Sequence, residues 1–236
     1  MGNPYFRFRH FTVWHDRCAM KVGTDGVLLG AWTEVCPSGE ILDVGTGSGL
    51  IALMIAQRSL SARITGIEPD PEAAAQAAEN FRNSEWAMRL NAVNLSLQSF
   101  ARTCGTKFRL IVSNPPYYDC SLINSDGRRT AARHTDTLSH KDLLHLSSRL
   151  MEDGGILSLI IPAEYADKVI EAASAEGLGP ERICTVRARE HSRERRAMIS
   201  FKKKQDGITR YEKLFIYEGN GEYSGMFRSL TEEFYL

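Results

Sequence analysis

From about residue 40 onward, short runs of apolar and β-branched residues alternate with stretches of helical periodicity. That alternation restricts the chain to a βαβ array around a mostly parallel sheet. Glu40–Val44 reads as the first strand of the array, and Leu50–Arg58 as the helix it feeds. Arg63–Glu68 follows as a strand, then an Ala-rich helix over Pro71–Arg82, whose proline suits a first helical position. Leu90–Val93 and Phe108–Ser113 are the next strands, and the second must stop at Pro115-Pro116, which cannot continue a ladder. A helix over Leu138–Met151 ending at Gly154-Gly155, a strand over Ile156–Ile161 and a helix over Ala163–Ala175 complete the alternation. Ile183–Arg189 and Arg196–Phe201 alternate like an antiparallel pair, as befits the end of a mixed sheet. The prediction is an α/β fold in one domain: a seven-stranded core over 39–204, an N-terminal segment 1–38 and a C-terminal extension 205–236.

Composition narrows the class of function. With 43% hydrophobic and 25% charged residues in 236, the chain has the make-up of a globular protein. Its longest apolar runs, Ile156–Pro162 and Val27–Trp32, fall far short of the about 20 residues a bilayer span needs. No apolar leader opens the sequence, so a cytoplasmic protein without membrane contact is expected. Five scattered cysteines without a Cys-x-x-Cys pair argue against a disulfide framework or a zinc site. The histidine pairs His10/His15 and His140/His145 lack acidic company, so no metal is expected. Net charge is zero, yet Arg128, Arg129, Arg133 and His134 cluster, and residues 182–204 hold nine Lys or Arg against two Glu.

Ligands of open α/β sheets collect at the carboxyl edge of the strands, and the polar motifs of this chain fall there. Asp43-Val44-Gly45-Thr46-Gly47-Ser48-Gly49 leads from a strand into a helix. Its glycines permit a tight turn and close backbone approach to a nucleoside cofactor, although an ordinary βα turn has the same composition. The opening acid disfavours a pyrophosphate and favours a cationic ligand, and Glu68 at the next strand end can take both ribose hydroxyls. Asn114-Pro115-Pro116-Tyr117 ends the fourth strand. The Asn114 side-chain oxygen and the Pro115 carbonyl are acceptors suited to holding a planar amine, and Tyr117 can stack on a ring, although Asn and Pro also make simple turns.

The loop resembles the first motif of Rossmann-like methyltransferases, and Glu68 the acid of their second. Ser96 stands where their third motif usually supplies Asp. Asn114–Tyr117 resembles the fourth motif of N6-adenine and glutamine methyltransferases. The stretch from Phe11 to Trp32 and the ending Tyr223-Ser224 through Phe227, Leu230 and Phe234-Tyr235-Leu236 resemble more narrowly the bacterial family that N6-methylates adenosine 37 of a valine tRNA. The resemblance implies a class I fold using S-adenosylmethionine, with tRNA as partner. Asn114, Pro115 and Tyr117 would be catalytic. Lys21, Thr24, Asp25, Asp43, Gly45, Thr46, Gly47, Gly49, Glu68, Ser96 and Asn114 would contact the cofactor, the first three at its methionine end under the N-terminal segment. Thr24-Asp25-Gly26 would equally serve to cap a helix beginning at Val27. Pro116, Tyr117, Tyr118, Arg128, Arg129 and Arg133 would meet the RNA, with Arg193, Arg195, Arg196 and Lys202–Lys204 extending that surface. A protein-glutamine N5-methyltransferase and a catalytically silent RNA- or cofactor-binding module are the alternatives, and a monomer is the expected state.

Overall fold

A computed structural model of the protein describes residues 3–115, 138–204 and 207–235. Its centre is β3 (Glu40–Val44), which pairs in parallel with β4 (Arg63–Ile67) on one side and β6 (Phe108–Ser113) on the other. β5 (Leu90–Val93) extends the sheet beyond β4, and β7 (Met151–Pro162) lies parallel to β6. Beyond β7 come β9 (Glu194–Lys203), β8 (Leu178–Arg187) and β10 (Arg210–Phe215), giving the order β10-β8-β9-β7-β6-β3-β4-β5. Only β9 runs against the others.

Helices cover both faces. α1 (Thr24–Trp32), α2 (Leu50–Arg58) and α3 (Pro71–Arg82) precede α4 (Leu97–Thr103), α5 (His140–Leu150), α6 (Ala166–Ala175) and α7 (Gly225–Thr231). The period-two geometry of the strands divides the core: Ile41, Leu110, Val112 and Ile160 pack with α1 and α2 on one face. Leu42, Ile111, Leu157 and Ile161 pack with α5 and α6 on the other. α3 starts sharply because Asp70 Oδ1 accepts the Glu72 N–H at 2.9 Å and Pro71 presets the first turn.

The α/β class holds, with corrections. Among the described residues the sheet has eight strands, one more than the seven expected. The extra one, β10, belongs to the C-terminal extension, and its largely exposed edge sequence carries little apolar signal. It is fastened by Glu212, whose oxygens take Arg182 Nε at 2.9 Å, Arg182 Nη2 at 3.0 Å and Trp32 Nε1 at 2.8 Å. The helix expected to run to Gly154-Gly155 ends at Leu150, and those glycines lie inside β7, Gly154 with φ +73°. α4 was unforeseen, and Ser96 is its N-cap.

The N-terminal segment forms a hairpin of β1 (Tyr5–Arg7) and β2 (Thr12–Trp14), and an aromatic cluster joins it to the C-terminal segment. Phe8 stacks on Phe11 at 4.7 Å and on Tyr235 at 6.0 Å, Tyr223 stacks on Phe227 at 4.6 Å, and Arg9 N donates to the Phe234 carbonyl at 2.8 Å. Phe227 is fully buried in this cluster. Phe227→Ala should therefore destabilise the protein by about 3–5 kcal/mol, read from urea unfolding. A loss below about 1 kcal/mol would mean that the terminal cluster is peripheral to the fold.

Candidate active site

The carboxyl ends of β3, β4 and β6 lie side by side, and the turn from Gly45 to Gly49 closes over them. Gly45 N and Thr46 N donate to the Ile67 carbonyl at 2.9 and 3.0 Å, which folds the loop back across the end of β4. Gly45 and Gly47 have φ of +70° and +55°, and a Cβ on either would meet nothing within 4 Å, so both border open space. Gly49 has φ +82°, and a Cβ there would come within 2.4 Å of Phe81 Cε1. The glycines thus serve a left-handed turn, a bare wall and one close packing contact. Gly47 N donates to Glu68 Oε2 at 2.9 Å and Asp70 N to Glu68 Oε1 at 3.1 Å. Burial raises the Glu68 pKa, with these two backbone bonds opposing the shift.

Two adjoining cavities open along this edge. One, of about 320 Å³, lies between the glycine loop, Glu68–Asp70, Leu95–Gln98 and Ser113–Pro115. The other, of about 350 Å³, lies between the loop and Lys21–Gly26. Met20, Gly45, Gly47 and Asn114 border both. Each volume falls within the range of small-molecule sites. Asn114 Oδ1 is buried and has no hydrogen-bond partner among the described residues. Ser113 Oγ donates to the Val44 carbonyl at 2.8 Å, locking the end of β6 to β3. The Cys18 thiol is pushed up to about 11 by burial and the nearby Glu68 and Asp70, so it stays protonated and offers the cavity no thiolate.

A strap from His15 to Val22 roofs the site. Val22 N donates to His15 Nδ1 at 3.3 Å, so Nε2 carries the proton that meets the Asn3 carbonyl at 2.9 Å. Asn80 on α3 spends its whole amide on fixing the strap to the loop. Its Nδ2 donates to the carbonyls of Trp14 and Ser48, both at 2.8 Å, and its Oδ1 accepts from Trp14 N at 3.1 Å. Arg17 adds a bond to Gln76 Oε1 at 3.2 Å and an ion pair with Glu79.

A family model described as methyltransferase small domain matches residues 21–166. A tRNA1(Val) (adenine(37)-N6)-methyltransferase of Bacteroides fragilis is 45% identical over 238 residues, covering 100% of this chain and 99% of the relative. One of Actinobacillus succinogenes is 46% identical over 232 residues, covering 98% and 97%. The chain belongs to this methyltransferase family. The fold agrees: a predicted O-methyltransferase from Agrobacterium tumefaciens superposes with TM-score 0.71 at 19% identity, covering 89% of this chain and 96% of that one. The M. jannaschii tRNA m1G37 methyltransferase does so with TM-score 0.60 at 14% identity, covering 86% and 57%.

Within this methyltransferase the residues singled out from sequence fall into groups. Gly45, Gly47, Glu68, Ser96, Asn114 and Pro115 border the first cavity, and Lys21, Thr24, Asp25 and Thr46 the second. Gly49 packs on Phe81 behind the loop. Asp43 borders neither cavity. It is fully buried and accepts the Thr46 hydroxyl at 2.6 Å, so it shapes the loop from behind. Helix α1 begins with Gly23 as N-cap and makes no side-chain cap bond, so Thr24 and Asp25 sit in its first turn and do not cap it. Asp25 Oδ2 accepts Arg196 Nε at 2.8 Å. Ser96 Oγ accepts Ser99 N at 3.2 Å. Pro116, Tyr117, Tyr118, Arg128, Arg129 and Arg133 lie outside the described residues. Among the described residues no helix is long and apolar enough to cross a membrane, and no cluster of His, Cys, Asp or Glu could hold a metal. Asn80, His15 and Arg17 went unread, because their partners are close in space but carry no local motif.

Burial raises the Asp43 pKa to about 7, the Thr46 bond opposing it only in part. The folded protein then holds this proton more tightly than the unfolded chain. The stabilisation is complete below the ordinary value of 3.8 and is lost as pH rises through about 7, at most about 1.4 kcal/mol per unit. In denaturant titrations from pH 4.5 to 8, Asp43→Asn should gain stability relative to the parent as pH rises. Parallel pH profiles would show that Asp43 titrates normally.

Proposed function

We propose that this protein transfers a methyl group from S-adenosylmethionine to N6 of an adenosine in tRNA, namely position 37 of a valine tRNA, the substrate in its relatives' names. It acts as one domain in the cytoplasm. The observation that carries the reading is the buried Asn114 Oδ1, without a hydrogen-bond partner among the described residues, at the junction of two cavities, with Pro115 beside it. An unsatisfied buried acceptor is costly, and at the junction of two cavities a ligand can supply the donor.

The residues fit a cationic nucleoside cofactor. The open wall at Gly45 and Gly47 admits it closely. Each Glu68 oxygen already accepts one backbone N–H and keeps a lone pair for a ribose hydroxyl. The uncapped first turn of α1, with Lys21 and Thr24 nearby, suits a carboxylate, and Asp25 an ammonium. Ser96, Leu97 and Gln98 face the adenine side without an acid. When bound, S-adenosylmethionine supplies an electrophilic methyl group on a sulfonium.

The acceptor amine is the harder partner, because its lone pair is delocalised into the ring. Asn114 Oδ1 and the Pro115 carbonyl each accept one amine hydrogen, which favours a pyramidal nitrogen with its lone pair free. Proline leaves the carbonyl on a stiff backbone, so orientation and fixed dipoles supply most of the rate without a general base. Tyr117 stacks on the base, and Pro116, Tyr118, Arg128, Arg129 and Arg133 continue the contact.

Incubation with labelled cofactor and either undermethylated tRNA or release-factor protein, followed by mass spectrometry, tests the assignment. N6-methyladenosine in the tRNA supports it, and label on glutamine overturns it. Cofactor binding by calorimetry with no transfer to either substrate would mark a silent module. Asn114→Ala should nearly abolish transfer, with a loss on the order of 10²–10³-fold, and leave cofactor affinity within a few-fold. A folded variant with near-normal turnover removes Asn114 from the mechanism.

A further inference from the structure

The basic run of residues 182–204 is split by β9 between opposite edges of the sheet. Lys202 pairs in register with Ile156 of β7 and Gly179 of β8, and Lys203 with Leu178 at the start of β8, away from the cavities, and the three lysines are occupied: Lys202 by Glu181, Lys203 and Lys204 by Asp153. Arg193 and Arg195 lie at the other end, on the edge that holds Asn114. They border a polar notch of about 190 Å³ with Pro162 and Glu164. Both are exposed, and neither has an ion pair among the described residues. The neighbouring Glu194 is neutralised by Arg187 at 2.8 Å, which leaves Arg193 and Arg195 against one other carboxylate, Glu164, at the notch. The next turn presents Arg189, also exposed.

The same edge continues onto the C-terminal extension. Tyr217 N donates to the Ala188 carbonyl at 2.9 Å, so the segment after β10 lies against the end of β8. There Tyr217 and Tyr223 stack at 5.4 Å, 37% and 44% exposed, and border an open groove with Arg228 and Glu222, so the groove is aromatic and close to neutral rather than basic. From β6 to β10 is four strand spacings, roughly 19 Å at about 4.8 Å each. That distance accommodates a few nucleotides on one side of a base held at Asn114. Unpaired arginines followed by exposed aromatic faces have the chemistry of an RNA surface: cations for phosphates, rings for bases or sugars.

We propose that this strip, Arg189, Arg193 and Arg195 leading to Tyr217, Tyr223 and Arg228, is a docking surface for the RNA that flanks the target adenosine. The inference rests on the tRNA reading above. Arg193 and Arg195 grip phosphate next to the reacting nucleotide, and the tyrosine groove holds the strand further out. The strip touches neither cavity wall, so it contributes binding and orientation and leaves the transfer step unchanged.

The test uses the full chain and undermethylated tRNA. Arg193→Glu combined with Arg195→Glu should raise KM for tRNA on the order of ten-fold or more, leave kcat within a few-fold, and lower the slope of log affinity against log salt by about one to two. Cofactor affinity by calorimetry should not change. The Arg193→Lys, Arg195→Lys variant should keep most of the salt slope, and Tyr217→Ala should weaken tRNA binding with little change in that slope. Unchanged KM and salt slope in the glutamate variant, with a parent enzyme that methylates tRNA, overturn the docking surface and leave the function standing. A parent enzyme that labels release-factor glutamine, and loses that activity in the glutamate variant, overturns both and assigns the strip to a protein.

Discussion

Everything at the site follows from the position of β3, which has parallel neighbours on both sides. β4 follows β3 and lies on one flank, while β6, much later in the chain, lies on the other. The strand order reverses there, the covering helices diverge to opposite faces, and a crevice is left above the carboxyl ends. The glycine loop carries the backbone from β3 across the crevice, so its conformation shapes what fits. Three positive-φ glycines and the buried Asp43–Thr46 bond specify that conformation from inside, before any ligand arrives.

The roof over the crevice is held by polar rather than apolar contacts. Apart from the buried His15, the strap consists of exposed and half-buried residues that gain little from burial, so it is ordered by His15, Asn80 and Arg17, each bonded to backbone or side chains outside its own turn. Asn80 is decisive among them because it ties the strap and the loop to the same helix. A shift of α3 would move both walls of the cofactor space together, preserving their spacing. Orientation at the reacting nitrogen is sensitive to errors of about 1 Å, which makes shared anchoring more valuable than additional contacts.

The legible parts of the fold were those with a local cause. Leu50–Arg58 and Pro71–Arg82 stood out through periodicity and capping, and Phe108–Ser113 through alternation cut short by proline. The carboxyl-edge placement of Gly45, Glu68 and Asn114 followed from those strands alone. β10 was illegible because it alternates weakly and is held by the Arg182–Glu212–Trp32 cluster, whose members are up to 180 residues apart. Ser96 stands where an acid is usual and borders the first cavity, and its hydroxyl also starts a short helix whose own sequence is too brief to announce itself. The basic run looked continuous because charge counts along a strand ignore that its two ends face opposite edges of the sheet.

Arg196 stands where the two halves of the site meet. It belongs to the antiparallel strand that carries Arg193 and Arg195, and its Nε bonds Asp25 in the first turn of α1. Both side chains are about a quarter exposed, so the pair is worth on the order of 1 kcal/mol or less, too little to be a main support of the fold. Its importance is positional. It links the first turn of the helix that borders the second cavity to the strand that carries Arg195. An ion pair of modest strength suits such a place, because Asp25 can share its charge with an incoming ammonium without a large loss elsewhere. Arg196, held at its other end by β9, stays beside Arg195 as it does so.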